Sequence, residues 1–260
     1  PLREEGGRIL ALAIVGVSVT YLAFHWALDY ATVIQVATMT TTIPIFVGVI
    51  NRLVTGEALS TVKIVTGCMA LAGVILLLTD GALSTLLGEG ETLYGVVLAL
   101  ICAILGSGYA VLAKPVMTRH GALKITALAM AIGGVGLWLM VGAFFSIWVD
   151  PSTLFERAAS EATLGVLPGI WLLVLGVWNT TITQLLWFGG LASAPDITRA
   201  SYLFFLKPVI AALLAVIVLA DEPTLLQMFA ILVVTGSVFV EMFWSRLSGL
   251  FARNPQEAGQ

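Results

Sequence analysis

Charge is what this sequence has least of. Asp, Glu, Lys and Arg make up 10% of its 260 residues, hydrophobic residues make up 59%, and the mean hydropathy is +1.04. A soluble domain needs about 25% charged residues to cover its surface, so a soluble globule is excluded. Histidine is almost as scarce. His25 and His120 are the two in the chain, and neither belongs to an H-E-x-x-H helix or stands by a G-x-S-G nucleophile. The sequence therefore offers no catalytic constellation, no metal-ligand cluster and no cofactor motif. The two cysteines, Cys68 and Cys102, both fall inside apolar runs and read as small packing residues, not as a disulfide. "GGVGLW" and "GSG" lie within apolar runs with no strand before them, so they read as sites of close helix packing and not as nucleotide loops. Period-two alternation is missing too, which rules out an outer-membrane barrel. A net charge of −3 says little in such a chain, where the placement of charge matters more than its sum, and no nucleic-acid partner is expected.

What the chain does have is long apolar runs, and about 20 residues of helix cross a bilayer. Eight are present, at about 9–28, 31–50, 64–79, 92–113, 125–149, 164–190, 200–219 and 225–245. The first is too long for a signal-peptide core and reads as a span. The fold class is all-α, a polytopic helical membrane protein whose partner is the lipid bilayer. Lys and Arg mark cytoplasmic segments. With the N-terminus inside, those segments hold ten basic residues: Arg3, Arg8, Arg52, Lys63, Lys114, Arg119, Lys124, Arg199, Arg246 and Arg253. The outside segments hold Arg157 alone and are acidic, with Asp80, Glu89, Glu91, Asp150, Glu156, Glu161, Asp221 and Glu222. Both termini are thus expected in the cytoplasm.

The chain also resembles itself. "ATVIQVATMTTTIPIFVGVINRLVTGEALSTVKIVTGCMALAG" (31–73) parallels "PDITRASYLFFLKPVIAALLAVIVLADEPTLLQMFAILVVTG" (195–236). Each has a mid-span proline, Pro44 or Pro208, then an acid, Glu57 or Glu222, then a second helix that reaches Gly73 or Gly236. The preceding spans also correspond, with Tyr21 opposite Gln184. The prolines lie in spans two and seven, five steps apart, an odd number, so the copies run antiparallel across the membrane, an arrangement that supports alternating access in secondary transporters.

At "FLKPVIAALLAVIVLADEPTLLQ" and "TTIPIFVGVINRLVTGEALSTVKIVTG" the sequence resembles the EamA family of the drug/metabolite transporter superfamily, the first segment resembling that family's helix-nine signature. The resemblance covers essentially the whole chain. It implies two five-helix repeats, ten spans in all, and a secondary transporter that moves a small metabolite outward through the bacterial inner membrane. On that scheme residues 1–80 are the last three helices of the first repeat, 92–246 the five-helix second repeat and 247–260 a cytoplasmic tail. The chain is then expected to lack the first two spans.

Polar residues inside the spans are the candidate substrate-binding groups. A lysine at a helix centre costs about 2.5–3.5 kcal/mol to insert, so Lys207, in the middle of "SYLFFLKPVIAALLAVIVL", needs a partner or water. It lies roughly 12 Å below the start of its span at 1.5 Å per residue. Ala200, Phe204 and Ala211 share its face, and Glu241 is the one acidic residue inside any span. Two readings are open. Lys207 and Glu241 face a water-filled path and meet a substrate carboxylate or a coupling proton or ion, or they form a structural pair between adjacent helices. Span six adds Trp178, Asn179, Thr180, Thr183 and Gln184, span two Gln35, Thr38 and Thr42, span four Ser107 and Tyr109, and span one Tyr21 and His25. A threonine or serine hydroxyl can bond the carbonyl four residues back in its own helix, whereas Asn179 and Gln184 need other partners. Tyr202 either stacks on a planar substrate or packs. Pro44 and Pro208 are the expected hinges, because each removes a backbone hydrogen bond. Three functions compete: a transporter, an intramembrane enzyme, which the lack of a nucleophile–base pair disfavours, and a non-transporting membrane subunit or scaffold.

Overall fold

The computed structural model describes residues 5–86, 91–148, 170, 173–219 and 222–252. Among these described residues the regular structure is helical throughout, with no strand. Helix α1 spans Gly6–Ala27, α2 Val33–Thr55, α3 Thr61–Thr79, α4 Glu91–His120 and α5 Ala122–Phe145. Helix α6 is described over 173–193, α7 covers Ile197–Val218 and α8 Leu225–Ala252. Seven of them, all but α6, are long and apolar enough to cross a membrane among the described residues. The expected sixth span, 164–190, begins outside the described residues, as do Arg3, Glu89, Asp150, Glu156, Arg157, Glu161, Asp221, Arg253 and the end of the expected tail.

Helix boundaries reflect local chemistry. Helix α2 opens on a capping box in which Thr32 accepts from the Gln35 amide and Gln35 Oε1 accepts from the Thr32 amide at 2.8 Å. Ser60 caps α3 by accepting from the Lys63 amide. Thr224 and Gln227 make the same reciprocal bonds ahead of α8. Helix α3 stops at Asp80, whose φ of 48° is left-handed, and Gly81 comes next in the same region.

Two prolines come after breaks in the α geometry. In α2 the helix is interrupted at Thr41 and Thr42, whose hydroxyls donate to the carbonyls of Thr38 and Met39, and it resumes at Ile43 with Pro44 in the first turn. In α7 a 3₁₀ segment, Tyr202–Phe205, separates Ile197–Ser201 from the α-helix that carries Pro208. A proline has no N–H to give, so it sits comfortably where the ladder is already broken.

The chain divides into two compact units, one from Pro1–His25 and Leu105–Pro195 and the other from Trp26–Ile104 and Asp196–Gln260. The second unit therefore holds both stretches that read as repeats in the sequence, 31–73 and, past Pro195, 195–236. In the first unit α1 packs on α5 through small residues. A Cβ on Gly133 would stand 2.6 Å from Val17 Cβ, and Ser18 Oγ donates to the Gly133 carbonyl at 2.7 Å. Of the "GGVGLW" glycines, Gly133 and Gly136 are helix-packing positions, as expected from their apolar setting, whereas Gly134 faces open space. The start of α1 is tied to the end of α4 by an ion pair between Glu5 and Arg119, with His120 Nε2 3.4 Å from the same carboxylate. In the second unit α3 packs along α8, burying Ala70, Val74 and Leu77 against Ala230, Val234 and Val238. Tyr202, Phe205 and Val209 of α7 close that core.

Candidate functional site

Two polar clusters lie inside the apolar helices, one in each unit. The first is built on a distortion of the helix ladder. Residues Ile14–Val19 of α1 and Leu175–Ile182 of α6 are π-helical, with backbone bonds that skip five residues. Such turns are rare and appear mostly at functional sites. Widening the turn lets a hydroxyl reach the carbonyl five residues back. Thr20 does this in α1, toward Val15 at 3.2 Å, while Ser18, 3.5 Å from the Ala13 carbonyl, gives its proton to Gly133. Thr181 and Thr183 do it in α6, toward Gly176 and Trp178 at 2.9 and 3.1 Å.

Past each π-helix stands a polar residue already singled out in its apolar run, and the two meet. Gln184 Nε2 donates to Tyr21 Oη at 2.9 Å across 163 positions. The same offset relates Ser18 to Thr181, Thr20 to Thr183 and the last π residues, Val19 and Ile182, to one another. Tyr109 of α4 is 3% exposed and stands edge-on to Phe188, with ring centroids 4.8 Å apart. Its hydroxyl is shut from solvent without a hydrogen-bond partner among the described residues. The His25 ring lies 6.3 Å from that of Tyr21. Trp178, 70% exposed, and Asn179, also exposed, sit within the second π-helix and point away from the packed core of their unit.

The second cluster gathers charge where α3, α7 and α8 pack. Asp196 caps α7 by accepting from the Arg199 amide at 3.0 Å, and its other oxygen takes Lys63 Nζ at 2.5 Å. Burial pushes the Asp196 carboxyl up. The bonds from Lys63 and the Arg199 amide, with the charges of both side chains, outweigh that and hold it below the usual carboxylate range. One turn deeper Tyr202 donates to the Lys63 carbonyl. Glu241 of α8, 1% exposed, lies 3.1 Å from Thr66 Oγ1, whose one proton it shares with the Val62 carbonyl at 2.7 Å, and its other oxygen lies 3.5 Å from Arg199 Nε.

This arrangement corrects the pairing of Glu241 with Lys207 that the sequence left open. Glu241 faces Arg199 and Thr66, while the exposed Lys207 holds its ammonium 4.4 Å from the Phe204 ring centroid. The reason is the 3₁₀ segment between Arg199 and Lys207. A 3₁₀ residue turns about 120° against 100° in an α-helix, so four of them rotate the remainder of α7 by about 80°. The remaining candidates are locally satisfied. Gln35 completes the capping box of α2, and Thr38 bonds the Ile34 carbonyl of its own helix at 2.8 Å.

Sequence reasoning treated Arg199 as a cytoplasmic loop marker and missed it as a partner of Glu241. The available signal was its position: it stands three residues after a capping aspartate, which places it in the first turn of a helix and not before it.

Similarity to known proteins agrees with this architecture. The EamA-like transporter family matches residues 2–79 and 93–243. An uncharacterized transporter of Archaeoglobus fulgidus is 26% identical over 223 residues, covering 86% of this chain and 71% of its own. Another, from Clostridium kluyveri, is 22% identical over 234 residues, covering 90% of this chain and 69% of its own. A protein of known crystal structure superposes with a TM-score of 0.69 at 19% identity, covering 92% of this chain and 77% of that one, and so shares the fold. With a family match over most of its length and seven apolar helices of membrane-crossing size, the chain is an integral membrane protein that belongs to the EamA-like transporter family.

Proposed function

We propose that the chain is a secondary transporter of the bacterial inner membrane, not an enzyme, that exports a small polar metabolite such as an amino acid or amine. Two antiparallel repeats alternate the access, a coupling proton or ion supplies the energy, and the C-terminus is cytoplasmic. The ten-to-one distribution of basic residues supports that orientation, and the two separate stretches matched by the family support the duplication. The observation that carries the reading is the recurrence of one local distortion. At matching register α1 and α6 each place a π-helix, a threonine, Thr20 or Thr183, that braces it and a polar residue, and the two polar residues bond to each other. Interrupted helices with polar groups at the interruption are what transporters use to hold a substrate within the bilayer. The breaks ahead of Pro44 and Pro208 are the hinges on this reading.

The test is counterflow. The purified protein, reconstituted in proteoliposomes preloaded with candidate amino acids or amines, is expected to show saturable exchange that Tyr21→Phe and Gln184→Leu diminish. Absence of exchange with every preloaded metabolite makes the chain a non-transporting membrane subunit instead.

A further inference from the structure

A guanidinium carries five N–H donors in a planar fork, and beside a carboxylate it ordinarily closes two short bonds of about 2.7–2.9 Å. Arg199 does not. Its Nε stands 3.5 Å from Glu241 Oε1, outside hydrogen-bond geometry, and is shut from solvent with no hydrogen-bond partner among the described residues. The neighbouring ion pair is closed by comparison, with Lys63 Nζ 2.5 Å from Asp196. The phenol of Tyr202 is likewise committed, donating to the Lys63 carbonyl. Of the charged groups gathered here, Arg199 is the one with a buried nitrogen, Nε, left without a hydrogen bond among the described residues. Its side chain is also 32% exposed, while that of Glu241 is 1% exposed and packed beside Thr66, whose hydroxyl lies 3.1 Å from it. The cation can be reached. Its resident anion is held back from it.

We propose that Arg199 anchors a binding site for a small oxyanion, a carboxylate or phosphate, and that the Glu241 carboxylate is the internal competitor for that site. A ligand oxyanion would make, at the exposed part of the guanidinium, the short bonds that Glu241, standing 3.5 Å from Nε, does not make. Calling that anion a substrate rests on the transport reading, and gives the metabolite an acidic end. The binding itself does not depend on transport.

The experiment therefore reads binding. The full chain in neutral detergent is titrated with inorganic phosphate and with acetate at constant ionic strength, against chloride, and its thermal unfolding is monitored. Glu241→Gln removes the competitor's charge and keeps an acceptor for Thr66, so it is expected to bind at least about tenfold more tightly than the wild type. Arg199→Lys, which keeps the charge and loses the fork, is expected to bind about tenfold more weakly than the wild type, and Arg199→Gln not at all. Two sources of oxyanion are separated by repeating the Glu241→Gln titration in nanodiscs. If phosphatidylglycerol abolishes the response that phosphatidylcholine preserves, a lipid headgroup is the natural occupant. If both preserve it, the occupant is a soluble anion. The proposal is overturned if Glu241→Gln binds no more tightly than the wild type, or if Arg199→Lys binds as well as the wild type. Should Arg199→Gln fail to fold, those two comparisons still decide. Loss of counterflow alone would leave these affinities unchanged, so the two readings fail separately.

Discussion

Gln184 Nε2 donates to Tyr21 Oη at 2.9 Å, joining two residues that each stand just past a π-helix at the same register of their helices. The bond lies within one compact unit and links α1 to α6. Neither side chain can satisfy itself on its own helix as a threonine can, so each supplies what the other lacks.

That bond predicts non-additivity. Tyr21→Phe and Gln184→Leu should each cost about 0.5–1.5 kcal/mol of stability. The double variant should cost little more than the worse single one, a coupling of about 1 kcal/mol. Reversible unfolding in mixed micelles measures all three. Fully additive losses would mean that the two groups do not interact.

Packing of α1 on α5 predicts a sharp contrast between adjacent glycines. A methyl on Gly133 would lie 2.6 Å from Val17 Cβ and 2.9 Å from the Ala13 carbonyl, whereas nothing lies within 4 Å of one on Gly134. Gly133→Ala is expected to destabilise by about 1–3 kcal/mol through overpacking. Gly134→Ala should be neutral or slightly stabilising. Comparing their unfolding midpoints checks both.

Glu241 predicts which polar substitution hurts the fold. Thr66→Val removes a hydroxyl proton shared between the Val62 carbonyl at 2.7 Å and the buried carboxylate at 3.1 Å, and should cost about 0.5–1.5 kcal/mol. Lys207→Met loses only a contact with the Phe204 ring and should change stability by less than about 1 kcal/mol. Adding Glu241→Gln to Lys207→Met should give a sum of the two single effects within about 0.5 kcal/mol. A rescue of one by the other would show an ion pair between them.

Asp196 predicts an acid limb. Its carboxyl titrates below the usual range, so the folded state binds fewer protons than the unfolded one in that window. The stabilisation is complete above the unfolded value of about 3.9 and is lost as pH falls through the lower folded value. Stability of the wild type should therefore drop more steeply below about pH 4 than that of Asp196→Asn. At neutral pH the variant, which still caps the helix, should be weaker by about 1 kcal/mol or less, because the aspartate is partly exposed. A pH series of unfolding measurements on both proteins gives the two limbs.

Much of the fold was legible in the order of residues. Apolar runs located seven of the helices, five of them to within about five residues at each end, because a span must be long and apolar whatever it packs against. Helices α4 and α8 continue to His120 and Ala252, past the ends expected at 113 and 245. The candidate site was legible in part. Tyr21, Gln184 and Tyr109 stood out as polar groups in apolar helices, and the structure puts them in one unit. Gln35 stood out equally and proves to be a helix cap, since a glutamine three residues after a threonine is a local signal that its apolar surroundings masked. The π-helices left no trace in composition. Their hydroxyl–carbonyl bonds span five residues, and serine or threonine spacing alone does not tell that register from the ordinary four.

From its residues alone this chain was bound to cross a membrane as helices, because so little charge cannot clothe a soluble surface and lipid accepts only backbone that satisfies itself. Which buried group meets which was settled by the tertiary structure. Glu241 faces Arg199 and not Lys207 because four residues of 3₁₀ helix turn one side of α7 away from α8. The rotation of a helix about its own axis depends on backbone hydrogen bonds and on neighbouring helices, and linear spacing does not carry it.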